Sequence, residues 1–219
     1  MQFKFTDYNR SEKIIKSSYQ REWSEVEKTI LNLPLHLKPS DQDGIIGNPI
    51  FDPVGTNKFL KDSLTKKGWT SKFAIPGDFK FLGTGIDFVK PGIILEVQFS
   101  NYPFLLNNTV RSELFIKSKM GILERKAALI ILITKCHMFP ASNSTLYYEQ
   151  AVRQLNELFK YKVLTVPLRL IGLKERTGNK VKGAWTHRGE RYSRTGIAKG
   201  CYFRIISSKL GRCRISKLH

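Results

Sequence analysis

The stretch Thr84-Gly-Ile-Asp87-Phe-Val-Lys-Pro91-Gly92-Ile-Ile-Leu-Glu96-Val-Gln98-Phe99 reads as a β-hairpin closed at Pro91-Gly92. Pro presets φ at the first central position of a type II turn, and Gly supplies the positive φ that the second requires. A turn spanning Lys90 to Ile93 sets Phe88 opposite Leu95, Asp87 opposite Glu96, Ile86 opposite Val97 and Gly85 opposite Gln98. Side chains alternate between the two faces of a strand. Ile86, Phe88, Leu95 and Val97 then face a core, and Asp87, Glu96 and Gln98 share the other face. Opposed Cβ atoms lie about 5 Å apart, a distance at which like charges repel. The adjoining run Ile93-Ile94-Leu95 argues for burial, where an uncompensated carboxylate is costly. A divalent cation turns that repulsion into coordination, and Mg²⁺ prefers one or two carboxylates with waters and substrate phosphate oxygens. The competing reading is an edge hairpin with two solvated acids.

Composition narrows the partner. The 219 residues include 37 Lys and Arg against 18 Asp and Glu, a net charge of +19. Such an excess favours a polyanion, either nucleic acid or an anionic membrane surface. Thirteen of those Lys and Arg, against two acids, fall between Lys174 and the C-terminus. A solvated basic tail making non-specific phosphate contacts would need nothing more. No apolar run reaches the ~20 residues of a membrane-spanning helix. The N-terminus, Met1-Gln-Phe-Lys-Phe-Thr-Asp, lacks the apolar segment of a secretory signal. Cys136, Cys201 and Cys213 are odd in number and have no metal-ligand spacing, which points to a reduced, intracellular chain. The expectation is a cytoplasmic protein with no membrane partner.

The rest of the chain alternates helix and strand. Trp23, Val26, Ile30 and Leu33 recur at helical spacing over 20–33, and Pro34 stops them. Helices are also expected over 56–68, 102–119 and 145–160, with the hairpin at 79–99. Residues 127–134, an uninterrupted apolar run, suit a strand covered on both faces, and 164–173 suit another. The fold class expected is α/β, a mixed central sheet flanked by helices. Residues 1–173 would form the core, and 174–219 a basic, partly β region that contacts the polyanion.

Three polar clusters could read bases. Asn101 and Asn107-Asn108-Thr109-Arg111 follow the hairpin, Ser142-Asn143-Ser144-Thr145 precedes a helix, and Arg191-Tyr192-Ser193-Arg194 lies in the basic region. Asn pairs bidentately with adenine and Arg with guanine. Helix capping competes for the second cluster, and plain solvation for the third. His36, His137, His187 and His219 stand in no metal-binding or nucleophile-activating arrangement, and His137 reads as structural.

Asp87, eight intervening residues and Glu96-Val97-Gln98 resemble the PD-(D/E)xK nuclease core, with Gln where most members have Lys. Four further blocks extend the likeness: Phe51-Asp-Pro-Val-Gly-Thr-Asn57, the long run Glu96 to Phe115, His137-Met-Phe-Pro-Ala-Ser-Asn-Ser144 with Leu146-Tyr-Tyr-Glu-Gln150, and Arg191-Tyr-Ser-Arg-Thr195. Together they closely resemble the BglII family of type II restriction endonucleases over roughly residues 6 to 195. The chain departs from that pattern after Thr195, around Trp69 to Ile75, and at Gly85, where the family has a second acid.

The resemblance implies a restriction-endonuclease-like core of the BamHI kind with an added β-rich subdomain. It implies a homodimer on double-stranded DNA, cutting a six-base palindrome (AGATCT, or a relative such as RGATCY) after the first base to leave 5′ GATC overhangs. It also implies a requirement for Mg²⁺, with Mn²⁺ able to substitute, a companion methyltransferase for the same site, and a prokaryotic cytoplasm. By position, Asp87 and Glu96 would bind the metal with the Val97 carbonyl, and Gln98 would stand in the place of the active-site Lys. Asn101, Asn143, Ser144, Tyr192 and Arg194 would fall in the DNA-reading segments. Gln98 has no proton to exchange near neutral pH, so its chemistry is to orient a water while solvent or a substrate phosphate accepts the proton. A nuclease of relaxed specificity and a non-catalytic nucleic-acid-binding protein are the alternatives.

Overall fold

In chain order the computed structural model begins with β1 (Gln2–Tyr8) and helices α1 (Ser11–Ser18) and α2 (Gln20–Asn32). Short strands β2 (Leu35–Pro39) and β3 (Pro49–Phe51) lead into α3 (Pro53–Thr65) and β4 (Thr70–Ala74). A 3-10 turn over Gly77–Leu82 precedes the hairpin β5 (Gly85–Lys90) and β6 (Ile93–Val97). Then come α4 (Pro103–Lys117), two-residue strands β7 (Gly121–Ile122) and β8 (Arg125–Lys126), β9 (Leu129–Lys135), α5 (Tyr148–Lys160) and β10 (Leu168–Lys174). The basic region holds β11 (Lys180–His187), β12 (Ile197–Ile206) and β13 (Arg214–Leu218). All residues are described except 143–144, 188–196, 209–210 and 219, together with the side chain of 197. Among the described residues no helix is long and apolar enough to cross a membrane.

The main sheet runs β1-β10-β9-β6-β5-β4, with β10, β9 and β6 parallel and the outer pairs antiparallel. Every residue of β9 is buried because its alternate side chains feed two different cores. Leu129, Ile131 and Ile133 join a cluster with Trp23, Ile30 and Leu95; Ile130 and Leu132 join Ala151, Leu155 and Leu170 beneath α5. The three parallel strands end together, so the segments that follow β6 and β9 emerge at one edge, where such sheets place their ligands.

A second sheet, β13-β12-β11-β2-β3, draws strands from both 1–173 and 174–219: β11 runs parallel to β2, with Trp185 beside Leu37. Trp185, Phe203, Ile205 and Ile215 share one apolar cluster with Ile30, Leu33 and Leu35. The N-terminal strands β1 to β3 are not evident in the hydrophobic pattern. Helix α3 begins at Pro53 rather than 56, because Asp52 caps it: its carboxylate accepts from the N–H of Val54 and of Gly55, both at 3.2 Å. Helix α5 begins at Tyr148, later than 145, because 145–147 are drawn into bridges with Asn101 and Lys135.

The hairpin turn is the one read from the sequence. Phe88 pairs with Leu95, Val89 with Ile94 and Lys90 with Ile93. Gly92 has φ +80°, and a Cβ there would lie 2.4 Å from the Tyr19 hydroxyl and 3.1 Å from the Lys126 carbonyl. Gly92→Ala is therefore expected to lower the unfolding free energy by about 2 kcal/mol or more, from left-handed strain plus the displaced Tyr19, as read by urea denaturation.

Candidate active site

Two corrections to the hairpin make the site. The ladder between β5 and β6 stops at the Phe88–Leu95 pair, so Asp87 and Glu96 are not a regular cross-strand pair, nor are Ile86 and Val97. β5 leaves with its outer neighbour β4, while Glu96 and Val97 stay paired to Leu132 and Ile133 of β9. Lys72, which the β4–β5 register would set across from Asp87, adopts a left-handed φ of 53° and drops out of that ladder. The alternation breaks with it. Ile86 packs with Val89, Ile94 and Phe115, whereas Phe88 packs with Leu95 in the other core, so Ile86 and Phe88 do not share a face.

Where the strands part, the two acids interlock. The Val97 N–H donates to Asp87 Oδ2 at 2.9 Å, and the Asp87 N–H faces Glu96 Oε2 at 3.5 Å. Asp87 is exposed, and Glu96 is 3% exposed. Burial, and then the charge of Asp87, push the Glu96 carboxyl up from 4.5 to about 7, against the opposing pull of Arg111. Arg111 Nη2 donates to Glu96 Oε1 in a buried ion pair. Gln98 is buried on the same side. Its Nε2 donates to Ser100 Oγ at 2.9 Å and to the Asn101 carbonyl at 3.3 Å, and its Oε1 accepts from Asn108 Nδ2 at 3.2 Å. That leaves one lone pair of the amide oxygen for a water.

Arg111 and Asn108 therefore belong to the acid site, and the expectation that these two read bases is corrected. Thr109 is likewise turned inward, its hydroxyl donating to the Leu105 carbonyl at 2.9 Å. Asn108 and Arg111 lie three residues apart on α4, hence on one face; that spacing is the signal that could have joined them. The opposite face of α4 exposes Leu106, Val110 and Leu114, each more than 40% accessible, a ridge that none of the described elements covers.

The donor set fits a hard divalent cation: two carboxylates, one of them buried and facing a like charge, at an open strand edge. Among the described residues no cluster of three or more His, Cys, Asp or Glu that could hold a metal exists. Asn101 bridges to Thr145, and beside them a cleft of about 640 Å³ is lined by Tyr102, His137, Ser142, Thr145, Arg153 and Arg212. The cleft thus carries two arginines at the edge where β6 and β9 end. Asn143, Ser144, Tyr192 and Arg194 lie outside the described residues. His137 accepts from Arg212 Nε at 3.2 Å and its backbone N–H donates to Glu149 Oε2 at 2.8 Å. Cys136, Cys201 and Cys213 are all free thiols.

Comparison with known proteins places this geometry. The profile of the restriction endonuclease BglII/BglIII family matches residues 3–173. The type II restriction enzyme BglII of Bacillus subtilis is 54% identical over 196 residues, covering 89% of this chain and 86% of the relative. A crystal structure of BglII complexed with a DNA 16-mer superposes with a TM-score of 0.95 at 48% identity, covering 100% of both chains. The crystal structure of free BglII superposes with a TM-score of 0.78 at 45% identity, again over 100% of both chains. The backbone here is therefore nearer to the DNA-complexed form of that relative.

Proposed function

The chain belongs to the BglII/BglIII family of restriction endonucleases, and from that premise we propose that it hydrolyses both strands of a palindromic DNA site at the Asp87–Glu96 centre. It is a type II restriction endonuclease with an α/β fold of that family. The site proposed is AGATCT or a relative such as RGATCY, cut after the first base to leave 5′ GATC overhangs. The observation that carries the residue assignment is the parting of β5 from β6, which sets an exposed and a buried carboxylate at one strand edge.

The family is metal-dependent, and we assign the cation as Mg²⁺, with Mn²⁺ able to substitute, held by Asp87 and Glu96 with the Val97 carbonyl as a further donor. When bound, such a cation supplies a lowered water pKa and neutralises charge developing on the phosphoryl oxygens. Asp87 supplies an exposed carboxylate that needs little desolvation, and Glu96 a fixed one braced by Arg111. Gln98 holds the 98–101 segment through Ser100, Asn101 and Asn108 and keeps one oxygen lone pair to orient the attacking water. Being an amide, it takes no proton, so solvent or a substrate phosphate does. Water attacks phosphorus as the bond to the leaving 3′ oxygen breaks. Asn101, Asn143, Ser144, Tyr192 and Arg194 are assigned to DNA contact. Lys182, Arg204 and the other basic residues of β11 to β13 are suited to phosphate.

Two antiparallel strands need two sites, so the active species proposed is a homodimer whose two-fold axis matches the palindrome. The ridge Leu106, Val110 and Leu114 on α4 is the surface assigned to it. The enzyme is placed in the bacterial cytoplasm, with a methyltransferase protecting the same site. Digestion of a sequenced plasmid with Mg²⁺, followed by end sequencing, tests the whole reading. Discrete fragments with 5′ GATC ends are expected, and a random ladder or uncut plasmid would sink it.

Protonation of Glu96 gives a second expectation. A carboxyl raised from 4.5 to about 7 in the fold binds more protons folded than unfolded across that window. The metal-free chain should therefore lose stability as pH rises through it, by about 3 kcal/mol in total, with no further change from this group above about pH 7. Cation binding needs the ionised form, so Mg²⁺ affinity should rise by up to about tenfold per pH unit across the window and then level. Calorimetric titration of Mg²⁺ into the DNA-free protein at several pH values reads this directly. A flat profile between pH 5 and 8 would show that Glu96 is ionised throughout.

A further inference from the structure

We propose that Lys135 is a positioning residue that couples the cleft-lining segment at Thr145 to the cleavage segment ending in Gln98. The proposal rests on the functional reading above. Lys135 closes β9, and its side chain is 1% exposed. Its Nζ donates to the Phe99 carbonyl at 2.9 Å, to Thr145 Oγ1 at 2.6 Å and to the Leu146 carbonyl at 3.2 Å. The Thr145 hydroxyl gives its own proton to the Phe99 carbonyl at 2.6 Å, so toward the lysine it can only accept. Three acceptors face the amine, and only an ammonium has three protons to give. The rings of Phe51, Phe99 and Tyr147, with centroids 5.5, 5.9 and 5.0 Å away, complete the enclosure. Among the described residues no carboxylate pairs with Lys135. Burial alone pulls its pKa down to about 7.

A buried ammonium without a counterion is a poor source of stability, since an apolar side chain of the same length would fill the space without the desolvation penalty. Specifying register is the better-attested role of such a group. The acceptors say which register. Phe99 directly follows Gln98, and Thr145 directly follows the Asn143–Ser144 pair. The Leu146 N–H donates to the Ser100 carbonyl at 2.8 Å and Thr145 bridges Asn101, so Lys135 pins two segments that are already bridged to each other. Beside the pin lies a cavity of about 180 Å³ lined by Ser100, Asn101, Lys135, Ser142 and Thr145, room for the segments to slide once unpinned. A displacement that a wrong base pair imposes at Thr145 is carried through this ammonium to Phe99, and so to Gln98 and the acids.

The test uses the full-length enzyme and whichever site the parent cuts with Mg²⁺. A parent that cuts at no discrete site overturns the functional reading and not this inference. Single-turnover cleavage is measured on the cognate duplex and on duplexes with one base pair changed, alongside equilibrium binding and thermal melting, for Lys135→Met, Thr145→Val and Thr145→Ser. Lys135→Met should lower the cognate rate and the cognate-to-altered rate ratio together, each by about tenfold or more. Thr145→Val should lower the ratio by a smaller factor, and Thr145→Ser, which keeps the acceptor, should hold the parent's ratio. If Met and Val variants slow every duplex equally and keep the ratio, Lys135 only holds the fold together and the proposal is wrong. Should Lys135→Met fail to fold, the Val–Ser contrast in the ratio decides.

Discussion

Asp87→Asn should abolish cleavage while making the metal-free protein more stable. The cleavage rate is expected to fall at least about a thousandfold, ~4 kcal/mol, the scale of what a bound cation contributes to phosphoryl chemistry. Asparagine keeps an oxygen to accept the Val97 N–H, so the parted strands should hold their geometry. It removes the charge that helps push Glu96 up, and leaves Arg111 as the one strong electrostatic partner of Glu96. Relief of a like-charge pair contributes on the order of 1 kcal/mol, so the variant should melt higher than the parent above pH 7 and no differently below pH 4. DNA affinity without metal should persist, since it derives from lysines and arginines elsewhere. Loss of activity with a lowered melting temperature would mean that Asp87 is structural. Cleavage within tenfold of the parent would remove it from the metal site.

The opposite signs of those two effects come from the part of the site that the sequence conveys least. Turn chemistry at Pro91-Gly92 and the alternation of Phe88 and Leu95 are local, and they set the register that the structure shows. The uninterrupted apolar run became β9 because two cores cover it, which a run of that length and composition already implies. The parting at Asp87 is different. It depends on Lys72 in a left-handed conformation fifteen residues earlier and on β6 being held by β9, neither of which a hairpin pattern contains. Arg111 and Asn108 were open to a base-reading role because α4 is apolar on more than one side, so periodicity does not fix which face turns inward. Lys135 ends an apolar run, where a lysine usually reaches solvent, and only the convergence of 99 and 145–146 on its ammonium shows otherwise. The pairing of β2 with β11 joins residues far apart in sequence, and no local signal encodes it.

That same two-sidedness of α4 bears on assembly. Asn108 and Arg111 on one face brace Gln98 and Glu96, and Leu106, Val110 and Leu114 on the other form an exposed ridge two turns long. A chain carrying +19 gains nothing from such a ridge unless another surface covers it. On a two-fold axis each substitution enters twice, so Val110→Asp places two unpaired carboxylates in one apolar interface. At about 2 kcal/mol each, the dimer should weaken by roughly a thousandfold, visible as a monomer by light scattering at micromolar protein. The substitution lies away from the acids and should leave the fold intact, with an unchanged far-ultraviolet spectrum and melting limited by the monomer. Double-strand cleavage of plasmid should then disappear in favour of slow nicking, because each centre still holds Asp87 and Glu96 but meets one strand alone. A Val110→Asp protein that remains dimeric and linearises plasmid would place the two-fold contact elsewhere. The path from recognition to catalysis would then have to bypass α4, through the segment that Lys135 holds.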